Sequence, residues 1–219
     1  MVQLFDAAGR SIGLPIALPV DANWFPTGQT VNSGIILEVA YGPGPGGDEI
    51  WNPNLNHVEG ALTGRTIAAH GTVIVSGAST SCRECTIRIT DVLTGENRSV
   101  RLPTGAMASG SGSISPDGST LALALSIRAH RARPIDEVVV VDLASGTARA
   151  LPGAGLGTNP SDSDPTITWS RSGWLFAAGV GRTRIVAWRP GTRAAVTLPS
   201  AKLPFVHLDL PRSRRSIRR

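Results

Sequence analysis

The tetrapeptide Ser115-Pro116-Asp117-Gly118, together with the apolar run that follows it, constrains the fold of this chain more than any other stretch. Pro116 pre-sets φ at the first central turn position, and Gly118 can take the positive φ that the exit needs, so the four residues read as a tight turn. Ser119 to Ile127 then reads as a strand. After a polar loop a second strand runs from Asp136 to Leu143 and closes on a further turn at Gly146. Turn, strand, loop and strand make one antiparallel unit, and three other regions of the chain are imperfect copies of it.

Two series of landmarks carry the repeat. The first is a hydrophobic residue followed by a polar one at the end of a strand: Phe5-Asp6, Trp51-Asn52, Thr90-Asp91, Val141-Asp142 and Trp188-Arg189. Their second members lie 46, 39, 51 and 47 residues apart. The second series is the turn that opens each unit, at Pro26-Thr27-Gly28, His70-Gly71, Pro116-Asp117-Gly118 and Arg171-Ser172-Gly173, with glycines 43, 47 and 55 apart. Two interleaved series with one period in the forties mark a repeat architecture.

Between the landmarks the strands alternate. Leu121, Leu123, Leu125 and Ile127 share one face of a strand whose other face carries the small Ala122, Ala124 and Ser126. Val138 to Val141 and Trp174 to Val180 are apolar on both faces, as strands covered from above and below must be. In the clearest copy the four strands are Gly112 to Ser115, Ser119 to Ile127, Asp136 to Leu143 and Thr147 to Leu151. The Gly/Ser stretch Ser109 to Ser113 reads as a linker, and Gly153 to Asp164 as a polar connection between units. No segment shows a 3.6-residue period with start and stop signals, so helix should be scarce.

Four-stranded sheets that recur at this period imply an all-β fold, a β-propeller or partial propeller of about four to five antiparallel blades. The complete units span about 23 to 65, 66 to 105, 110 to 152 and 165 to 199, with two strands before them and Phe205 to Leu210 after. We expect residues 1–211 to form a single propeller domain that is the C-terminal part of a larger ring; a five-bladed closure through the last strand is the alternative. At these residues the chain resembles a known family. Ser115-Pro116-Asp117-Gly118-Ser119-Thr120-Leu121-Ala122, with Asp142-Leu143-Ala144-Ser145-Gly146 downstream, is similar to the blade motif of TolB-like and WD-repeat-like propellers. Trp169-Ser170-Arg171-Ser172-Gly173 resembles a decayed form of the same turn. No Trp-Asp pair is present, and His70-Gly71 inverts the Gly-His order of true WD repeats. The resemblance implies a propeller fold from a bacterial source, and the near-exclusive use of Arg over Lys suits a GC-rich, actinobacterial genome.

Charge narrows the choice of partners. The formal net charge is +5, yet Arg212 to Arg219 holds five Arg and no acid, so residues 1–211 are balanced. The high pI therefore describes a short basic tail, 212–219, expected to be disordered, and says nothing of the folded body. The tail contains no aromatic residue for base stacking, which argues against a nucleic-acid partner. No apolar run approaches the ~18 residues of a membrane-spanning helix. The first twenty residues lack the apolar core of a secretory leader, and the chain begins in mid-strand with Val2-Gln3-Leu4-Phe5-Asp6. An upstream portion is expected on that ground; an extracytoplasmic or membrane-tethered location follows if it exists, and a cytoplasmic one otherwise.

Candidate chemistry is sparse. Cys82 and Cys85 are the only cysteines, placed before a strand and not at the helix start that thiol redox chemistry uses. A small disulfide is the first reading, ahead of free thiols, half a zinc site and redox catalysis. The histidines, at 57, 70, 130 and 207, are too scattered to supply obvious zinc ligands. Asp6, Asp91 and Asp142 fall at equivalent positions, which suits turn capping better than acid–base work. Trp24, Trp51, Trp169, Trp174 and Trp188 suit packing between blades better than sugar binding. No hydrolase, phosphate-loop or zinc-protease motif is present. The sequence thus gives no catalytic, cofactor-binding or metal residues. It points to a monomeric, non-enzymatic propeller that presents a loop face to a protein or small ligand. The alternative is a lyase- or hydrolase-type propeller with His57, His130 and a carboxylate converging on an axial channel.

Overall fold

The computed structural model describes residues 2–5, 10–16, 24–32, 34–39, 48–53, 57–62, 64–77, 86–103, 106–127, 135–158, 165–179 and 185–198. Among them are eighteen strands and no helix. An N-terminal hairpin pairs β1 (Val2–Phe5) with β2 (Ser11–Ile16). The first four-stranded sheet comprises β3 (Trp24–Val31), β4 (Gly34–Val39), β5 (Asp48–Asn52) and β6 (His57–Ala61). The second comprises β7 (Arg65–His70), β8 (Val73–Gly77), β9 (Thr86–Asp91) and β10 (Asn97–Arg101). The third comprises β11 (Ala106–Ile114), β12 (Thr120–Ile127), β13 (Ile135–Asp142) and β14 (Ala148–Thr158). The fourth comprises β15 (Thr166–Trp169), β16 (Leu175–Ala178), β17 (Ile185–Trp188) and β18 (Val196–Leu198).

Each sheet is an antiparallel meander in which strands pair in chain order. The first strands of successive sheets lie side by side: β3 against β7, β7 against β11, and β11 against β15. The sheets therefore splay outward from a common line and stack face on face, as the blades of a partial β-propeller do.

The stacking follows from the period-two pattern. Val75, Ile87, Ile89 and Val100 of the second sheet meet Leu121, Leu123, Leu125, Val139 and Val141 of the third in one buried cluster. The neighbouring positions Ala122, Val138 and Val140 point the other way and pack against Leu175, Ala177, Val186 and Trp188 of the fourth sheet. Ile74, beside Val75 in sequence, packs against Val31, Ile36 and Ile50 of the first sheet. Leu121, Leu123 and Leu125 have no exposure at all, and each such leucine contributes about 2 kcal/mol on leaving water. A turn hydrogen bond nets about 1 kcal/mol, so stacking rather than turn chemistry holds the blades together.

Several expected boundaries shift. Pro26-Thr27-Gly28 is not the opening turn of its unit: it lies inside β3, where Pro26 faces Leu37 and the register slips before Thr30. Proline cannot donate to a sheet ladder and is accommodated at such an irregularity. The turn itself comes later, at Asn32 with φ +52°. The Ser109 to Ser113 stretch is no linker. It belongs to β11, whose pairing with β12 slips between Ala108 and Gly112. Likewise Gly153 to Thr158 extends β14. In both places small residues hid a strand, because glycine and serine have low strand propensity while the ladder and the neighbouring sheet enforce one. The disulfide candidates Cys82 and Cys85, His130, His207, the Asp6 position and the tail at 212–219 lie outside the described residues.

Candidate functional site

In a four-stranded antiparallel meander the first-to-second and third-to-fourth connections lie at the same end of the sheet. In the third sheet these are the 115–119 turn and the turn after Asp142. Ser115, Pro116, Asp117 and Gly118 all sit in the first of them. The Ser115 hydroxyl donates to Asp117 Oδ1 at 2.6 Å and accepts from the Thr120 amide at 2.9 Å. Asp117 Oδ1 also accepts from the Ser119 amide at 3.1 Å and hydroxyl at 2.8 Å. Gly118 takes φ +73° and donates its amide to the Ser115 carbonyl. The Ser115 side chain is buried whereas Asp117 and Ser119 are exposed, so its hydroxyl is the inward-facing part of the network. In the fourth sheet Ser170 repeats the device, its hydroxyl accepting from the Trp174 amide at 3.0 Å.

The third-to-fourth turns are built on Asp91 and Asp142. Asp91 Oδ1 accepts from the amides of Leu93 and Thr94 at 2.9 and 3.1 Å, and Oδ2 from the Thr72 hydroxyl at 2.8 Å. Asp142 Oδ1 accepts from the Ser145 amide at 2.6 Å. Gly95 and Gly146 follow with φ +75° and +74° and donate to the carbonyls of the same two aspartates. The capping role expected of these residues is thus what the geometry gives. It also sets their charge. The Thr72 hydroxyl, with the Thr94 amide, holds the Asp91 carboxyl below its ordinary value of 3.8. The Ser115 hydroxyl does the same for Asp117, and the Ser145 amide for Asp142. All three are anions near neutrality.

The residue after each aspartate reaches back to the turn at the head of its own sheet. The Val92 amide donates to the Thr72 carbonyl, and the Leu143 amide to the Ser119 carbonyl. Leu143 then plugs the core between the second and third sheets, and Val92 that between the first and second.

Between the turn-bearing ends of the second and third sheets lies a cleft of about 670 Å³. Val73, Ile89 and Leu143 form an apolar floor, and Asp91, Glu96 and Arg98 stand among the polar groups around it. Arg98 spans the gap, donating from Nη1 to the Ala144 carbonyl at 2.7 Å, and lies close enough to Asp142 to favour its charged form. His70 is exposed beside the cleft, near Gly118.

The tryptophans divide. Trp51 and Trp188 are buried in the stack. Trp169 meets Trp188 edge to face at 6.2 Å and donates from Nε1 to the Ser113 carbonyl at 3.0 Å, tying the fourth sheet to the third. Arg149 lies 5.7 Å over the Trp188 ring. Trp174 alone of the described tryptophan side chains is exposed, and that of Trp24 lies outside the described ones. The enzymatic alternative turned on His57, His130 and a carboxylate; the His57 side chain and all of His130 are likewise outside them. Among the described residues no group of three or more His, Cys, Asp or Glu is placed to hold a metal ion, and no helix is long and apolar enough to cross a membrane.

The sequence reading missed the cleft. Glu96, Asn97 and Arg98 drew no notice, yet they follow Asp91-Val92-Leu93-Thr94-Gly95 at the positions that Thr147 and its successors occupy after Asp142. The repeat alignment was the signal that places the two turns side by side.

No protein-family model matches the sequence, and a search of curated proteins finds no match. Among solved structures the chain is similar to Kuenenia stuttgartiensis hydrazine synthase, with a TM-score of 0.54 and 14% identity over 84% of this chain and 57% of that one. It is also similar to the β-propeller domain of the trilobed protease from Pyrococcus furiosus, with a TM-score of 0.49 and 13% identity over 81% of this chain and 57% of that one. A third likeness, to an oligogalacturonate lyase from Vibrio parahaemolyticus, has a TM-score of 0.43 and 12% identity over 90% of this chain and 72% of that one. The chain spans 57% of the length of the first two. At these identities the likeness is one of fold alone; the all-β, partial β-propeller architecture rests on the four-stranded antiparallel sheets and their stacking in chain order.

Proposed function

We propose that the protein is a non-enzymatic binding module whose cleft between the second and third sheets takes an extended segment of a partner protein. The observation that carries this is the cleft itself, about 670 Å³ with an apolar floor and charged groups at its edge. That volume lies within the range of about 300–1,000 Å³ typical of ligand sites, and the mixture of apolar floor and a few fixed polar groups is what such sites use for orientation. An apolar side chain fits the Val73, Ile89 and Leu143 floor. A basic neighbour on the same segment fits Asp91 and Glu96.

Selection of a random displayed peptide library on the purified protein tests this. Enriched peptides should pair an apolar with a basic residue. Their affinity should drop about tenfold or more, about 1.4 kcal/mol, in Ala144→Arg, which fills the mouth, and in Glu96→Lys, which reverses its charge. Peptides that bind both variants as tightly as the parent contradict the assignment.

A further inference from the structure

The far face of the fourth sheet matches, in chemistry and register, the faces that the other sheets bury. Phe176 pairs with Ala187 and Ala178 with Ile185, and these in turn face Val196 and Leu198 on β18. In an antiparallel ladder directly paired residues share a face, so these six form one apolar surface. It is opposite the one that packs on the third sheet, where Leu175, Ala177, Val186 and Trp188 are buried. Yet only the small Ala187 at its centre is buried, while Val196 is 55% exposed and Phe176, Ala178, Ile185 and Leu198 are half-buried. The corresponding face of the third sheet, carrying Ala122, Ala124, Val138 and Val140, is fully covered. Along the inner edge, Thr166 and Thr168 are exposed where β7 and β11 each have a following first strand beside them.

The chain path names an occupant. After each outermost strand the chain goes directly on to the first strand of the next sheet: from Ala61 to Arg65, from Arg101 to Ala106 and from Thr158 to Thr166. Continuing from Leu198 over a comparable span leads to Phe205-Val206-His207-Leu208-Asp209-Leu210, in which Val206, Leu208 and Leu210 alternate with Phe205 and the polar His207 and Asp209. We propose that residues 205–210 dock on the far face of the fourth sheet as the first strand of a further blade, beside β15, with Val206, Leu208 and Leu210 toward Phe176. The segment has the period-two pattern the site requires, and it reaches the site by the same route as the strands before it.

Hydroxyl-radical footprinting of the full chain tests the docking. Phe176 is expected to be protected, and the V206D/L208D/L210D variant to raise its labelling about threefold or more, while Leu93 at the turn-bearing end stays unchanged. In a Cys82→Ser/Cys85→Ser background, Thr168→Cys together with Leu208→Cys is expected to give an intramolecular cross-link with a short bis-maleimide, a readout independent of how the aspartate variant folds. Equal labelling of Phe176 in both proteins, protection that depends on protein concentration because a second copy covers the face, or cross-links only between molecules would overturn the proposal.

Discussion

Ser115 does more for its turn than the exposed residues around it. Its hydroxyl is the single group that both donates to Asp117 and accepts from the amide opening β12. Ser115→Ala leaves that partly buried amide without its acceptor, and an unmet buried donor costs about 1–3 kcal/mol. The urea midpoint should fall accordingly, with little change in slope. The three turn aspartates give a pH signature. Because Asp91, Asp117 and Asp142 titrate below their ordinary 3.8 in the folded chain, the stability they contribute is present above that value and is lost as pH falls through their lower folded-state values. Stability should therefore decline below about pH 4, and a variant with all three changed to Asn should show a flatter profile in chemical unfolding between about pH 5 and pH 2. An identical profile in the two proteins would refute the assignment. These turns were the most legible part of the sequence, since Pro, Asp, Ser and Gly act on their own backbone within a few residues. Asn32 was not legible: nothing local distinguishes its turn from the Pro26-Thr27-Gly28 stretch that the ladder absorbs.

Elements in this fold approach one another closely where their residues are small. Gly179, just past β16, is buried with the Leu156 backbone carbonyl in the way of any Cβ. Gly112 in β11 is similar, since a Cβ there would come within 2.6 Å of Ile67 and 3.2 Å of the Ala122 carbonyl. Gly179→Ala should therefore cost about 1–3 kcal/mol, because a backbone atom cannot swing away as a side chain can. A thermal melt within about a degree of the parent would show that the third and fourth sheets are further apart than described here. The same glycines explain where the reading of elements went astray. A strand made of Gly, Ser and Ala, as in β11 and the end of β14, has no alternating pattern to detect; it is specified by the sheet it joins and by the neighbour it admits. The Leu and Val strands β12 and β13 carried their own pattern and fell within a residue of their expected ends.

At the scale of the molecule, repetition makes both the architecture and the cleft. Each sheet can hide its apolar faces only against its neighbours, so the order and stacking of the four described sheets follow from the repeat, while the cleft arises where two turns of adjacent copies fail to fill the space between them. The fold was therefore open to a reading of one chain; the cleft was not, because the repeat aligns its two turns without showing that the space between their side chains stays unfilled. The central claim is that each strand sends alternate side chains to opposite neighbours. Methyl NOE spectroscopy tests it most directly. Leu123 should show cross-peaks to Val75 and Ile87 of the second sheet and none to Val186, whereas Ala122 should show them to Leu175 and Ala177 of the fourth. Cross-peaks from Leu123 to the methyls of the fourth sheet would contradict the account.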